Sequence, residues 1–133
     1  MLLRPANQEI LKLKRKTIMN KYLGTVIILL IVGGGITMGG SIERAIDLLS
    51  IIFVTGIGIG HSLGAKDGES RLTRFGDGCV RGGWLGLLVG ITLIAGTDYA
   101  AQMDFSYIMP AVAVTLLSPL YGYFLKVITM QLD

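Results

Sequence analysis

Apolar residues form four long runs along the chain, at about residues 22–40, 46–65, 82–97 and 105–130. An α-helix needs roughly 20 apolar residues to cross the hydrocarbon core of a bilayer. The runs therefore predict an all-α membrane protein with four transmembrane helices, forming a single domain over residues 22–130. The polar stretch 66–81 is predicted to be a short charged loop between the second and third helices.

Basic residues are distributed unevenly between the runs, which predicts the topology. Residues 1–21 contain six basic residues and a single acidic one, Glu9. Loop 66–81 has four basic residues, and the stretch 97–104 has none. Lys and Arg accumulate on the cytoplasmic side of membrane proteins, so both termini are predicted to be cytoplasmic. The basic residues of the N-terminal segment are Arg4, Lys12, Lys14, Arg15, Lys16 and Lys21.

The N-terminal segment allows two interpretations. It is either a topology signal or a short amphipathic helix on the membrane surface, held there by acidic lipid. No small-residue cleavage site follows the first apolar run. That run is therefore predicted to stay in the bilayer rather than to be removed as part of a signal peptide.

The composition strengthens the membrane assignment and adds a packing prediction. Charged residues make up 16% of the chain, against about 25% in an average soluble domain. The 19 glycines suit close packing of helices in lipid. Two sets recur every four residues, which places each set on one helix face where another backbone can approach. These predicted packing residues are Gly56, Gly60 and Gly64 in the second helix and Gly82, Gly86 and Gly90 in the third.

The sequence contains no arrangement typical of an enzyme. There is no nucleophile beside a base, no phosphate-binding loop after a strand, and no cluster of metal ligands. Cys79 and His61 are the only residues of their types, so neither a disulfide nor a metal site is expected. We therefore predict no enzymatic activity, no cofactor, no metal and no nucleic-acid partner.

The fourth apolar run has the most unusual residues. It includes two prolines, Pro110 and Pro119, and three hydroxyls at spacings of three, Thr115, Ser118 and Tyr121. Pro119 removes the N–H that would bond the Thr115 carbonyl. The hydroxyls either line a path for ions, or they bond back to helix carbonyls while Tyr121 lies at the membrane interface. No carboxylate is predicted at mid-membrane depth, so an ion path would need an acidic group from another polypeptide.

Two stretches resemble the MotA/TolQ/ExbB proton-channel family, most closely its MotA branch. The first is GGSIERAIDLLSIIFVTG, which is similar to the family's turn between its first two helices at Gly39, Gly40, Ser41, Ile46, Asp47 and Ser50. The second is IMPAVAVTLLSPLYGYFL, which resembles its last helix at Pro110, Ala111, Ala113, Val114, Leu116, Leu117, Leu120, Tyr121 and Gly122. Ser118 stands at the first of two family threonines. The third run resembles the family at Gly82, Leu85 and Gly86.

The chain departs from this family in two places. Only about 16 residues stand where MotA proteins have a long cytoplasmic domain, and Gly83 occupies the position of a family threonine. The resemblance implies a subunit of a proton- or sodium-driven motor or channel in the bacterial inner membrane. Five copies would surround two single-span helices of MotB- or ExbD-like partners, which supply a membrane aspartate. The ion-pathway residues it implies are Thr115, Ser118, Tyr121, Pro119, Pro110 and Gly83.

Two other functions are compatible with the sequence. A structural or assembly protein would use the glycine faces only for oligomerisation. A small four-helix transporter would need an acidic residue inside the membrane, usually in its first helix, and residues 22–40 contain none.

Overall fold

The computed structural model of the protein describes residues 5–133, so Arg4 lies outside the described residues. The elements are α1 (Pro5–Gly39), a 3₁₀ turn (Ile42–Ala45), α2 (Leu48–Leu63), α3 (Arg71–Ala95), the short α4 (Asp98–Ala101) and α5 (Phe105–Leu132). This part of the chain contains no strand. Four segments are helical, long and apolar enough to cross a membrane, namely α1, Ile42–Leu63, α3 and α5. The prediction of an all-helical chain with four such helices is confirmed.

The structure differs from the sequence prediction in the charged stretch 66–81. α3 begins at Arg71 rather than after residue 81, so only the first few residues of the stretch form a loop. The Ser70 side chain accepts a hydrogen bond from the Thr73 N–H and caps the first turn of α3, as serine does at helix N-termini. Hydropathy reports where a helix can enter lipid, and a helix can continue past that boundary.

The basic N-terminal segment is likewise part of a longer helix. α1 runs without interruption for 35 residues, which corresponds to about 52 Å at 1.5 Å per residue. A helix of that length extends well beyond a hydrocarbon core of about 30 Å. Residues 5–21 therefore belong to the same continuous helix as the first apolar run.

α3 is the central helix and packs against both α2 and α5, which also contact each other. The contacts on both sides depend on glycine. A Cβ atom placed on Gly78 would lie 2.9 Å from the Cα atom of Gly58 in α2. One placed on Gly122 in α5 would lie 2.5 Å from the carbonyl oxygen of Cys79. These backbones therefore touch, as the glycine-rich sequence leads us to expect of membrane helices.

The two predicted glycine sets have different surroundings. Gly82 contacts α2, and Gly86 and Gly90 contact side chains of α5. A Cβ atom on Gly56 or Gly60 would meet nothing within 4 Å, and one on Gly64 would come only to 3.5 Å of the Arg74 side chain. α2 packs on α3 through Gly58, so Gly56 and Gly60 form an open face of the bundle.

Candidate functional site

The hydroxyl residues of α5 meet the glycines of α3 in the middle of the bundle. Thr115 and Ser118 are 9% and 4% exposed. The Thr115 side chain lies against Gly90, and the Ser118 Oγ lies 2.9 Å from the Cβ position of Gly86. A Cβ atom on Gly83 would lie 2.7 Å from the Ser118 carbonyl oxygen and 2.8 Å from the Pro119 Cα. Because Gly83 has no side chain, the backbones of α3 and α5 come into contact here.

We call this contact of Thr115, Ser118 and Pro119 with the α3 glycines the Ser118 seam. Its oxygen atoms differ in their hydrogen bonds. The Thr115 hydroxyl donates to the carbonyl of Val112 at 2.8 Å, as expected for a threonine that bonds back to its own helix. The Ser118 hydroxyl forms no hydrogen bond within residues 5–133, and its oxygen is not completely buried, since no fully buried side-chain oxygen of these residues lacks a partner. Pro119 has no N–H, so it also leaves the Thr115 carbonyl without its usual helical bond. The seam thus offers a free hydroxyl and a freed carbonyl on neighbouring turns.

These oxygens could accept from a water molecule or coordinate a cation, but they cannot neutralise one. The middle of the bundle has no ionisable side chain that would help. Residues 48–60 of α2, 82–95 of α3 and 105–120 of α5 contain no Asp, Glu, Lys, Arg or His. Asp98 and Asp104 lie between α3 and α5, outside these stretches. A charged ion therefore needs a carboxylate from outside these stretches.

Tyr121 does not share this seam. Its hydroxyl accepts a hydrogen bond from the Asp47 N–H at 2.8 Å and donates to the carbonyl of Ala45. Six residues turn a helix by about 600°, which places Tyr121 about 120° away from Thr115. Tyr121 thus fastens α5 to the turn between α1 and α2. Pro110 is exposed near the start of α5, so the structure groups Thr115, Ser118, Pro119 and Gly83 and leaves Tyr121 and Pro110 apart.

We expect Tyr121→Phe to destabilise the turn at residues 41–47. The change leaves the Asp47 N–H and the Ala45 carbonyl without this partner, at a cost of about 1–3 kcal/mol. Thermal unfolding and amide exchange at Asp47 would measure the loss. Tyr107→Phe is the matched control because Tyr107 is 59% exposed and stacks on Tyr99 through its ring. Equal effects of the two changes would contradict the anchoring role.

An ion pair that the sequence analysis missed lies at the opposite end of the bundle from the 41–47 turn. The Lys126 Nζ of α5 lies 2.7 Å from an Asp77 carboxylate oxygen of α3. Asp77 precedes Ala95 by 18 residues, or about 27 Å along the helix, so it lies near one edge of a hydrocarbon core of about 30 Å. The pair joins positions 49 residues apart, and no local spacing could have indicated it.

His61 and two arginines lie at the same end. The Arg81 guanidinium is 3.2 Å from the His61 Nε2, and Arg74 donates to the His61 carbonyl at 3.2 Å. Among the described residues, no three His, Cys, Asp or Glu side chains are grouped so that they could hold a metal ion. Cys79 is buried and free. His61 lies in the last turn of α2, and both arginines lie in the first half of α3.

The loop before α3 is held by a carboxylate whose ionised form is favoured. A Glu69 oxygen accepts from the Lys66 N–H at 2.9 Å and pairs with the Arg74 guanidinium at 2.9 Å. The Lys66 N–H and then Arg74 lower the pKa of Glu69 below its ordinary value of 4.5. A lowered pKa in the folded state means that Glu69 stabilises the loop above pH 4.5 and that this contribution is lost as the pH falls through the lowered pKa.

We therefore expect the Lys66 amide to lose protection from hydrogen exchange on acidification below pH 4.5, after correction for the intrinsic exchange rate. Glu69→Gln should remove this pH dependence. Asp67→Asn, a change of the same kind in the same loop, should leave it in place. Protection in the wild type that is independent of pH would contradict the assignment.

Comparisons with protein-family models, with curated proteins and with solved structures find no match to this chain.

Proposed function

We propose that this chain is the multi-span subunit of an ion-driven complex of the MotA kind in the bacterial inner membrane. In this proposal five copies, with both termini in the cytoplasm, surround two single-span partner helices of the MotB or ExbD kind. The observation that carries the proposal is the Ser118 seam, with free oxygens in a bundle whose middle contains no carboxylate. Transport of a proton or a sodium ion through such a bundle needs an acidic group from a partner.

The orientation of the seam refines the expected ion pathway. Thr115 and Ser118 face α3, whereas the exposed face of α5 presents Leu116 and Tyr123. The Tyr123 hydroxyl accepts from the indole N–H of Trp84 at 3.3 Å, so this face spans α3 and α5. We place the partner helix on it, and we place the ion-handling step at the adjoining seam. Pro119 leaves the Thr115 carbonyl there without its helical hydrogen bond.

Ion flux through reconstituted vesicles tests the proposal. The purified chain alone, in vesicles with a proton or sodium gradient, should conduct neither ion above the level of empty vesicles. The complex purified together with its partner should conduct one of them. Conduction by the chain alone at the level of the complex would contradict the proposal, because it would need no carboxylate from a partner.

The open glycine face of α2 favours a second candidate, a structural or assembly protein. Gly56 and Gly60 have no neighbours within 4 Å of their Cβ positions, and small residues on an open helix face suit contact with another helix. This candidate predicts an oligomer of the chain without a single-span partner and without flux. The four-helix transporter has no such support, since it needs an acidic residue within the membrane.

A further inference from the structure

The two sides of α1 differ in their surroundings. The side toward the bundle contains Lys21, whose ammonium donates to the Asp133 carbonyl at 2.6 Å. The opposite side lies about 160–180° around the helix from Lys21, at about 100° for each residue. We call it the outer face of α1, and its apolar residues, each at least 60% exposed, are Met19, Leu23 and Leu30.

The outer face changes from apolar to basic within one helical turn. On the N-terminal side of Met19, three cations lie about 120–180° around the helix from Lys21. This basic triad consists of the exposed residues Lys12, Arg15 and Lys16. Lys14, in contrast, lies only about 20° from the direction of Lys21 and is therefore on the bundle side. The triad thus points away from the other helices of the subunit.

No carboxylate of the described residues neutralises the triad. Both ion pairs within residues 5–133 join other side chains, and Glu9, the only acidic residue of the N-terminal segment, pairs with none of the three. The three cations lie within about 6 Å of one another along the helix axis, so their positive potentials add. This charge is therefore available to an anion outside the chain.

The position of the triad along α1 indicates the kind of anion. The apolar part of the outer face ends at Met19, and Tyr22, 63% exposed, lies one turn away, as aromatic residues do at the edge of the hydrocarbon core. A bilayer is about 40–45 Å thick with about 30 Å of hydrocarbon, which leaves about 5–8 Å for each headgroup layer. Lys16 lies about 4.5 Å beyond Met19 along the axis, and Lys12 about 10.5 Å beyond it. Flexible side chains of this length can lean toward the phosphates, so the triad is at the depth of the headgroups.

We propose that the basic triad binds the headgroups of acidic phospholipids in the leaflet at the N-terminal end of the first span. Clusters of Lys and Arg beside a transmembrane helix attract acidic headgroups, and this triad faces the surrounding lipid. The ligand is a lipid and not a soluble anion, because the site lies at headgroup depth. Recognition is through net charge, so a zwitterionic headgroup is not bound in excess. The proposal does not depend on ion transport by the protein.

Two variants with the same loss of charge provide the test. The triad variant combines Lys12→Gln, Arg15→Gln and Lys16→Gln. The control variant neutralises three exposed cations that lie off the outer face, by Lys14→Gln, Lys66→Gln and Arg71→Gln. Each protein is reconstituted in vesicles of equal parts palmitoyl-oleoyl phosphatidylglycerol and palmitoyl-oleoyl phosphatidylcholine and extracted in mild detergent. Native mass spectrometry then counts the two lipids that each subunit retains.

The wild type and the control variant should retain phosphatidylglycerol in about fivefold excess or more, since one cation near an acidic surface already contributes about that factor. The triad variant should retain the two lipids equally. Phosphatidylserine in place of phosphatidylglycerol should give the same excess. Extraction in about 1 M salt, where the Debye length is about 3 Å, should abolish it.

An excess in the triad variant equal to that of the wild type would overturn the proposal, as would an equal loss in both variants or an excess that requires the glycerol headgroup. A wild type that retains the two lipids equally would also overturn it and would leave the triad to a protein partner. If the triad variant is not recovered from the membrane, Arg15→Gln alone should lower the excess, and Lys14→Gln alone should leave it unchanged.

Discussion

Replacing Gly83 or Gly122 by leucine is expected to force α3 and α5 apart and to lower the free energy of unfolding by about 3 kcal/mol. A Cβ atom on Gly83 would lie 2.7 Å from the Ser118 carbonyl oxygen, and one on Gly122 would lie 2.5 Å from that of Cys79. Both obstacles are backbone atoms, which cannot rotate away as a side chain can. The cost is therefore a displacement of whole helices.

Unfolding in mixed micelles, with the denaturing detergent increased stepwise, would measure this loss. The chain has a single tryptophan, Trp84, which lies on α3 and reports the separation directly. Gly60→Leu is the matched control because the Cβ position of Gly60 is open. Leucine has a higher helix propensity than glycine, so this change should stabilise the protein by up to about 1 kcal/mol. An equal loss at positions 60 and 83 would contradict the packing described for α3.

Replacing Ser118 by alanine is expected to reduce ion flux through the assembled complex about tenfold, the effect of a barrier raised by about 1.4 kcal/mol. The Ser118 hydroxyl has no hydrogen-bond partner within residues 5–133, so its removal breaks no bond inside the subunit. Stability and assembly should therefore remain close to those of the wild type. Loss of flux without loss of the complex would assign the hydroxyl to the ion pathway.

Ser50→Ala is the control for this experiment. Ser50 is also buried, at 8% exposure, but it lies near the start of α2 and has no place in the proposed pathway. It should leave flux unchanged. Unchanged flux in Ser118→Ala would remove Ser118 from the pathway, and an equal loss in both variants would show that flux responds only to packing.

Much of the fold could be predicted because transfer into lipid depends on local composition. Runs of about 20 apolar residues mark spans whatever their partners, and they located all four helices. The same signal could not show that residues 71–81 continue α3, because backbone conformation in water does not require apolar side chains. Ser70 was the available indication, as a capping residue before Arg71.

The packing faces and the site were less predictable. Spacing shows which glycines share a helix face, but it does not show which face meets a neighbouring helix. In the structure Gly58, and not Gly60, contacts α3. Spacings of three suggest one face for Thr115, Ser118 and Tyr121, but the rotation accumulated over six residues turns Tyr121 about 120° away from Thr115. The Asp77–Lys126 pair depends on the antiparallel arrangement of α3 and α5 and has no counterpart in local sequence.

Native mass spectrometry of the complex, extracted gently from its own membrane, would show whether this chain works with a partner. We expect five copies of this chain with two copies of a single-span protein that has an aspartate within its helix. An oligomer of this chain alone, without such a partner, would contradict the account, because the middle of the bundle contains no carboxylate of its own.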